Sequence, residues 1–224
     1  MDFTRISERY GLLKHIVFFY VIWALTEVIL FPALRLKGAI LSEMLGPIWK
    51  AMVWVVPVIV SLKAKQCEVA SYLRLNSHAW TSIAWSGIGI GFIVGYNFLM
   101  HMLFYANTIF SPWLTVAQWV NTVVVAGVVE EVLFRGYFLQ KLKGWYSFWN
   151  ANLLVSLLFV SIHFPIWYMN ADKIAHGAIA WAQLVAFIFG FSLLQGWLFQ
   201  KADSLWPCIM MHMVNNFMAL ALVG

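Results

Sequence analysis

Charge is scarce in this chain. Asp, Glu, Lys and Arg make up 10% of its residues, where a soluble domain carries about 25%, so little room is left for a soluble domain. Cysteine is scarcer still, with Cys67 and Cys208 alone. Two thiols so placed offer neither metal-ligand spacing nor a disulfide framework, and reduced, inert thiols are expected. No block of like charge occurs. The net charge of +5 is spread singly along short connections, which excludes a nucleic-acid partner and fits the demands of membrane topology. Internal repeats, low-complexity tracts and the H-E-x-x-H zinc signature are all absent. Arg5, Arg9 and Lys14 precede an apolar run as in a signal peptide. That run reaches Phe31, too long for a cleaved segment, and no A-x-A site follows, so an uncleaved first helix is expected.

What the chain has in abundance is apolar surface: 63% of its residues are hydrophobic, with 13 Trp and 18 Phe. A spanning helix needs ~20 mostly apolar residues. About seven stretches qualify: 12–31, 47–62, 79–104, 116–139, 148–164, 178–199 and 206–223. The pattern predicts an all-α, polytopic transmembrane helical bundle, a single membrane-embedded domain over 1–224. Residues 35–43 read as a short interfacial piece, Pro57 as a kink, 107–112 as an uncharged loop and 166–177 as the longest late loop. With the N-terminus cytoplasmic, the inner connections hold Arg5, Arg9, Lys14, Lys63, Lys65, Arg74, Lys141, Lys143 and Lys201. The outer ones then hold only Arg35, Lys37 and Lys173, with Lys50 and Arg135 set aside as intramembrane or borderline. The bias predicts N-terminus in and C-terminus out. Trp145, Trp149, Trp197 and Trp206 would then belong to an inner aromatic belt, and Trp113, Trp167 and Trp181 to an outer one.

The stretch that stands out is 123–136, VVVAGVVEEVLFRG, where Glu130, Glu131 and Arg135 interrupt an apolar run. A charge at membrane depth costs at least ~2.5–3.5 kcal/mol and marks function by default. Glu131 and Arg135 are four residues apart with the acid first, the better orientation for a pair on one helix face. Glu130 is turned about 100° from Glu131. The pair therefore reads as scaffold and Glu130 as chemistry. His163 in the fifth stretch and His212 in the seventh add two imidazoles, and Asn216 shares a face with His212, with Asn215 close by. A carboxylate and an imidazole can activate a water, while a second imidazole and a carboxamide can stabilise an oxyanion. Helical rise places Glu130 about 13 Å and His212 about 9 Å from the inner surface, but His163 about 22 Å. Convergence of the fifth helix on the other two is therefore strained.

Each polar residue has a plainer reading. A lone His in a membrane helix is most often a packing or hydrogen-bonding residue. His15, His78, His101 and His176 show no partner pattern, and Glu27 is expected to snorkel or to pair with a neighbouring helix. Buried carboxylates also suit a proton- or ion-coupled transporter, although no inverted repeat is visible. A non-enzymatic membrane immunity or interaction protein is a third class.

The motif residues resemble those of the CPBP intramembrane proteases, also called Abi proteins, which include the type II CAAX prenyl proteases. The family's E-E-x-x-x-R followed by Gly appears as Glu130-Glu131-Val132-Leu133-Phe134-Arg135-Gly136. Its F-x-x-x-H appears as Phe159 to His163, and its H-x-x-x-N as His212 to Asn216 after the lead-in Ser204-Leu205-Trp206-Pro207. The resemblance covers about 117–217 and implies a protease core of about 116–223. It implies an intramembrane endopeptidase in which Glu130 and His163 activate water, His212 and Asn216 form the oxyanion hole, and Glu131 and Arg135 support the site. No cofactor is implied, with Zn²⁺ held by the two His and a Glu as the alternative. The implied partners are membrane lipids and a hydrophobic or lipidated peptide. The implied setting is a bacterial cell membrane, with a role in bacteriocin-type peptide processing, self-immunity or CAAX-type processing.

Overall fold

A computed structural model describes residues 3–77, 79–104, 109–169 and 177–223; His78, Lys173 and His176 lie outside them. Helix α1 (Phe3–Leu25) runs without a break through a π-type turn, Thr26–Leu30, into α2 (Phe31–Lys37). The widening has a local cause. Pro32 has no N–H to give to the carbonyl four residues back, so the ladder must loosen just ahead of it. Thr26 fills the loosened turn, its hydroxyl donating to the Ile22 carbonyl at 2.8 Å and accepting from Trp49 Nε1 at 3.0 Å. Gly38, at φ 141°, turns the chain directly into α3 (Ala39–Ala64). The piece expected at 35–43 is therefore divided between two long helices. Pro47 and Pro57 lie inside α3 without ending it.

A polar connection holding the short helix α4 (Val69–Tyr72) leads to α5 (Ala79–Phe104). Then comes β1 (Ile109–Phe110). The motif-bearing stretch is one helical rod of alternating character. A π-type segment, Gln118–Ala126, passes into α6 (Gly127–Glu131), then into a second π-type segment, Val132–Leu139, and α7 (Gln140–Lys143). Helix α8 (Phe148–Ser161) follows, started by Ser147, whose hydroxyl accepts from Asn150 N–H. A tight turn at Ile162–His163 separates α8 from α9 (Phe164–Met169). The chain closes with α10 (Gly177–Ala202), α11 (Trp206–Ala221) and β2 (Leu222–Val223). The two short strands pair antiparallel, Ile109 opposite Val223 and Phe110 opposite Leu222. The last helix expected from the sequence thus stops at Ala221.

Among the described residues, five helices are long and apolar enough to cross a membrane: Ile6–Lys37, Ile40–Ala64, Ala79–Phe104, Phe148–Met169 and Gly177–Ala202. This is a polytopic, all-α membrane bundle, but the expected seven spans are not matched. The two stretches outside the five, 116–139 and 206–223, are the ones carrying Glu130, Glu131, Arg135 and His212. Helix α11 has 16 residues, short of the ~20 that a span requires. Both elements are enclosed where their polar motif residues lie, with Glu130, Glu131, Arg135 and His212 all buried. Val129 through Leu139 are buried without interruption, and α11 packs on α5, α6 and the Gln118–Ala126 segment. The outward faces of the long helices are apolar, with Val17, Phe18 and Val21 exposed on α1 and Val56 and Val60 on α3. That is the surface lipid requires.

An aromatic cluster joins the N-terminal helices to the motif rod. Trp54 meets Phe19 at 4.8 Å, Trp23 at 4.9 Å and Phe134 at 6.1 Å, all edge to face. Helices α8 and α10 instead meet where Asn152 lies against Gly196, the kind of seam that lets membrane helices approach closely. A Cβ on Gly196 would come within 1.8 Å of Asn152 Oδ1. Asn152 is fully buried and its amide donates to the Leu193 carbonyl at 2.9 Å, so it cannot swing aside without losing that bond. Gly196→Ala is expected to destabilise the detergent-solubilised protein by about 1–3 kcal/mol through overpacking, read as a lowered Tm. Gly91→Ala, where a Cβ meets nothing within 4 Å, serves as the control and leaves Tm unchanged or slightly raised.

Candidate active site

Two glycines bring the polar residues together. A Cβ on Gly127 would lie 2.6 Å from Met213 Cγ and 3.2 Å from Met213 N. Its absence lets the backbone of α11 lie against the motif rod one residue past His212. On Gly136 a Cβ would fall 2.9 Å from Leu73 Cδ2, so the same rod closes on the α4 connection. The site therefore forms where α6 and the following π-type segment are buried on all sides.

Glu131 and Arg135 form the ion pair their spacing predicts, Nη1 to Oε1 at 2.9 Å, both side chains fully buried. Arg135 also donates through Nη2 to the Ser192 hydroxyl at 2.7 Å and the Ser192 carbonyl at 3.1 Å. Its guanidinium lies over the Phe159 ring at 4.6 Å. The same Glu131 oxygen accepts from His212 Nδ1 at 2.7 Å and, more weakly, from Gln195 Nε2 at 3.5 Å. Gln195 is itself held by the Cys208 carbonyl at 3.0 Å. Glu131 is thus the common anchor of the motif rod, α10 and α11. Cys208 and Cys67 are free thiols.

The bond from His212 Nδ1 to Glu131 defines the ring's other edge. With Nδ1–H donated to a carboxylate, the neutral imidazole presents Nε2 as an acceptor. That nitrogen faces Glu130 Oε2 at 3.8 Å. Two acceptors facing each other at that distance repel unless a donor lies between them. A water set off the line can donate one O–H to each. Alternatively, a second proton on His212 makes Nε2 a donor. The oxyanion-hole role expected for His212 requires that second proton.

Glu130 is held from the other half of the chain. Lys50 on α3 donates to Glu130 Oε1 at 2.7 Å, and its ammonium sits over the rings of Trp23 at 5.4 Å and Trp54 at 5.0 Å. Lys50 is the functional residue that sequence reasoning missed. Its signal was a lone lysine in an apolar stretch, and its partner is 80 positions away.

His163 lies in the turn between α8 and α9. Its Nδ1 is 2.9 Å from the Phe159 carbonyl, which leaves Nε2 available. The two imidazoles rest on the Phe159 ring, His163 at 5.4 Å and His212 at 5.9 Å. His163 and Glu130 are close enough for their charges to interact, but among the described residues no hydrogen bond or ion pair joins them. Both imidazoles lie against one ring, so the structure brings the fifth helix to the other two despite the offset that helical rise predicts. Trp167, expected in the outer aromatic belt, is buried against His163 at 5.6 Å instead. Asn216 is turned from Glu130, its amide donating to the Thr122 carbonyl at 2.8 Å, which leaves one N–H of the carboxamide. Asn215 accepts from Asn97 at 3.3 Å. The structure therefore gathers Glu130, Glu131, Arg135 and His212 tightly, with His163 and Asn216 at the margin. Among the described residues, no three His, Cys, Asp or Glu side chains are placed to share one metal ion. Lys50 occupies Glu130 Oε1 and Glu131 occupies His212 Nδ1.

Residues 111–218 match the family described as Type II CAAX prenyl endopeptidase Rce1-like. No curated protein and no solved structure matches the chain.

Breaking the buried Glu131–Arg135 pair from either side leaves an uncompensated charge, which costs about 3–5 kcal/mol. Arg135→Met is expected to lower the folded yield sharply, measured by size-exclusion chromatography of the solubilised protein, and Glu131→Gln to lower it as well. Normal yield with lost activity in Glu131→Gln would reverse the roles of the two glutamates.

Proposed function

Because residues 111–218 match the type II CAAX prenyl endopeptidase Rce1-like family, we propose that the chain is an intramembrane endopeptidase. Its substrate is a membrane-associated peptide, hydrophobic or lipidated, and Glu130 is its general base. The observation that carries this reading is Glu130 Oε2 facing His212 Nε2 at 3.8 Å inside a membrane protein.

A water donating one O–H to each of those atoms has a lone pair left for attack on a carbonyl carbon. Glu130 takes one proton of the attacking water, the new C–O bond forms, and the carbonyl oxygen becomes an oxyanion. Collapse of the tetrahedral intermediate breaks the C–N bond, and the proton on Glu130 passes to the departing amine. Three side chains assist. His212, held by Glu131, accepts the second O–H of the attacking water at Nε2 and so orients its lone pair. Asn216 offers its remaining N–H to the oxyanion. His163, with Nε2 unused, is the second contributor to water activation. No step requires a metal, and the positions of Lys50 and Glu131 at the two ends of the Glu130–His212 pair support that view.

Bacterial peptide processing, self-immunity and CAAX-type processing all fit such a site. The charge bias of the connections supports a cytoplasmic N-terminus and an external C-terminus. The near-inner depth of Glu130 and His212 supports cleavage in that half of the bilayer.

The test uses the chain in proteoliposomes with a fluorescence-quenched peptide carrying an S-farnesylated cysteine followed by three residues. Glu130→Gln keeps shape and removes the base. A loss of about 10²–10⁴-fold is expected, the usual worth of general-base catalysis, while the protein still accumulates in the membrane. Wild-type cleavage by that variant would rule out Glu130 as base. A strong chelator is expected to leave the wild-type rate unchanged; loss restored by added Zn²⁺ would contradict the metal-free reading.

A further inference from the structure

We propose that Lys50, which lies outside the matched domain, is a positioning residue for Glu130. It keeps that carboxylate ionised at membrane depth and turns Oε2 toward His212. The proposal rests on Glu130 being the base.

The geometry is that of a built cation site. The Lys50 ammonium touches one carboxylate oxygen at 2.7 Å and two indole faces at 5.4 and 5.0 Å, with its side chain 15% exposed. Neither indole is free to drift. Trp23 donates through Nε1 to the Ile162 carbonyl at 3.1 Å, and Trp54 is fully buried between Phe19 and Trp23. An ammonium over ring faces is attracted by the ring quadrupole, more so when desolvated. Lys50 is thus fixed independently of Glu130, as a positioning group must be. The Trp23 bond also pins the residue just before His163, so one aromatic pair sets both the cation beside the base and the turn carrying the second imidazole.

The choice of lysine has a chemical reason. A guanidinium presents a planar fork that can take both oxygens of a carboxylate, whereas an ammonium is a point charge. Lys50 takes Oε1 and leaves the Oε2 lone pairs open. The remaining titratable groups around Glu130 are few. They are His212 on α11, His163 in the α8–α9 turn, Glu131 next to it on the rod, and Glu27 in the π-type turn between α1 and α2. Glu27 is close enough for its charge to act on Lys50 and Glu130. Arg35 acts on Glu27, and Arg135 is committed to Glu131 and Ser192, so among the described residues Lys50 is the cation that Glu130 meets directly.

The experiment needs no knowledge of the natural substrate. Dicyclohexylcarbodiimide, an apolar reagent, adds to protonated carboxyl groups in membrane surroundings, and mass spectrometry locates the adduct. In proteoliposomes at neutral pH, Glu130 in the wild type and in Lys50→Arg is expected to resist labelling. Lys50→Met is expected to label at Glu130 and to cleave the farnesylated probe about a hundredfold more slowly, the scale of a lost general base. Equal labelling of wild type and Lys50→Met overturns the proposal, as does wild-type cleavage by Lys50→Met. If Lys50→Met fails to accumulate, the double variant Lys50→Met/Glu130→Gln, with neither charge, is expected to recover accumulation; no recovery overturns the proposal. Failure of the functional reading is separable. An active Glu130→Gln variant removes Glu130 as base whatever the labelling shows, whereas an inactive one beside a normally active Lys50→Met leaves the base standing and removes the role of Lys50.

Discussion

Two adjacent carboxylates at membrane depth cannot share one counter-charge, because successive helical residues point about 100° apart. The rest of the site depends on how this chain meets that constraint. Glu131 turns toward Arg135, His212 and Gln195, which ties the motif rod to α10 and α11. Glu130 turns toward Lys50 and presents its other oxygen to His212. One imidazole therefore bridges two carboxylates in different roles. The Nδ1 bond to one sets which ring nitrogen faces the other. The scaffold and the chemistry are separated by a single step along the helix.

The N-terminal helices are part of this arrangement. The matched domain begins at residue 111, yet Lys50 comes from α3 and the indoles around it from α1 and α3. Tyr20 reaches α8 as well, through the Leu158 carbonyl and the Ser161 hydroxyl. The half of the chain without a family motif thus supplies the charge partner of the motif's first glutamate and anchors the turn that carries His163. The buried position of the motif rod follows from the same logic. Its charges cannot face lipid, so the long apolar helices take that surface and the polar helices lie within.

Much of this was legible in the sequence, for identifiable reasons. The Glu131–Arg135 pair is a local, four-residue relation on one helix, which periodicity reads directly. The all-helical membrane class follows from composition, and the motif residues Glu130 and His212 were singled out by their cost in lipid. Other features were not legible because they are non-local. Nothing near Lys50 in sequence reveals a glutamate 80 positions away, and a lone lysine in an apolar run reads as easily as a topology marker. The pairing of 109–110 with 222–223 needs only two residues from each side, too few for a strand pattern. Seven apolar stretches stand out by hydropathy, while among the described residues five helices are long and apolar enough to cross; the motif rod carries three charges and α11 has 16 residues. Helical rise alone sets His163 deeper than Glu130 and His212, yet the turn after α8 brings its imidazole to the Phe159 ring that His212 also touches, a tertiary placement that counting residues along one helix does not reveal.

The central claim is that Glu130 and His212 address one water between them. An experimental map of the protein in lipid, sharp enough to display ordered solvent, tests it most directly. The expected result is one water within hydrogen-bond distance of both Glu130 Oε2 and His212 Nε2, with His212 Nδ1 on Glu131. A side chain filling the space between those two atoms, or Glu130 and His212 drawn too far apart for one water to reach both, would contradict it.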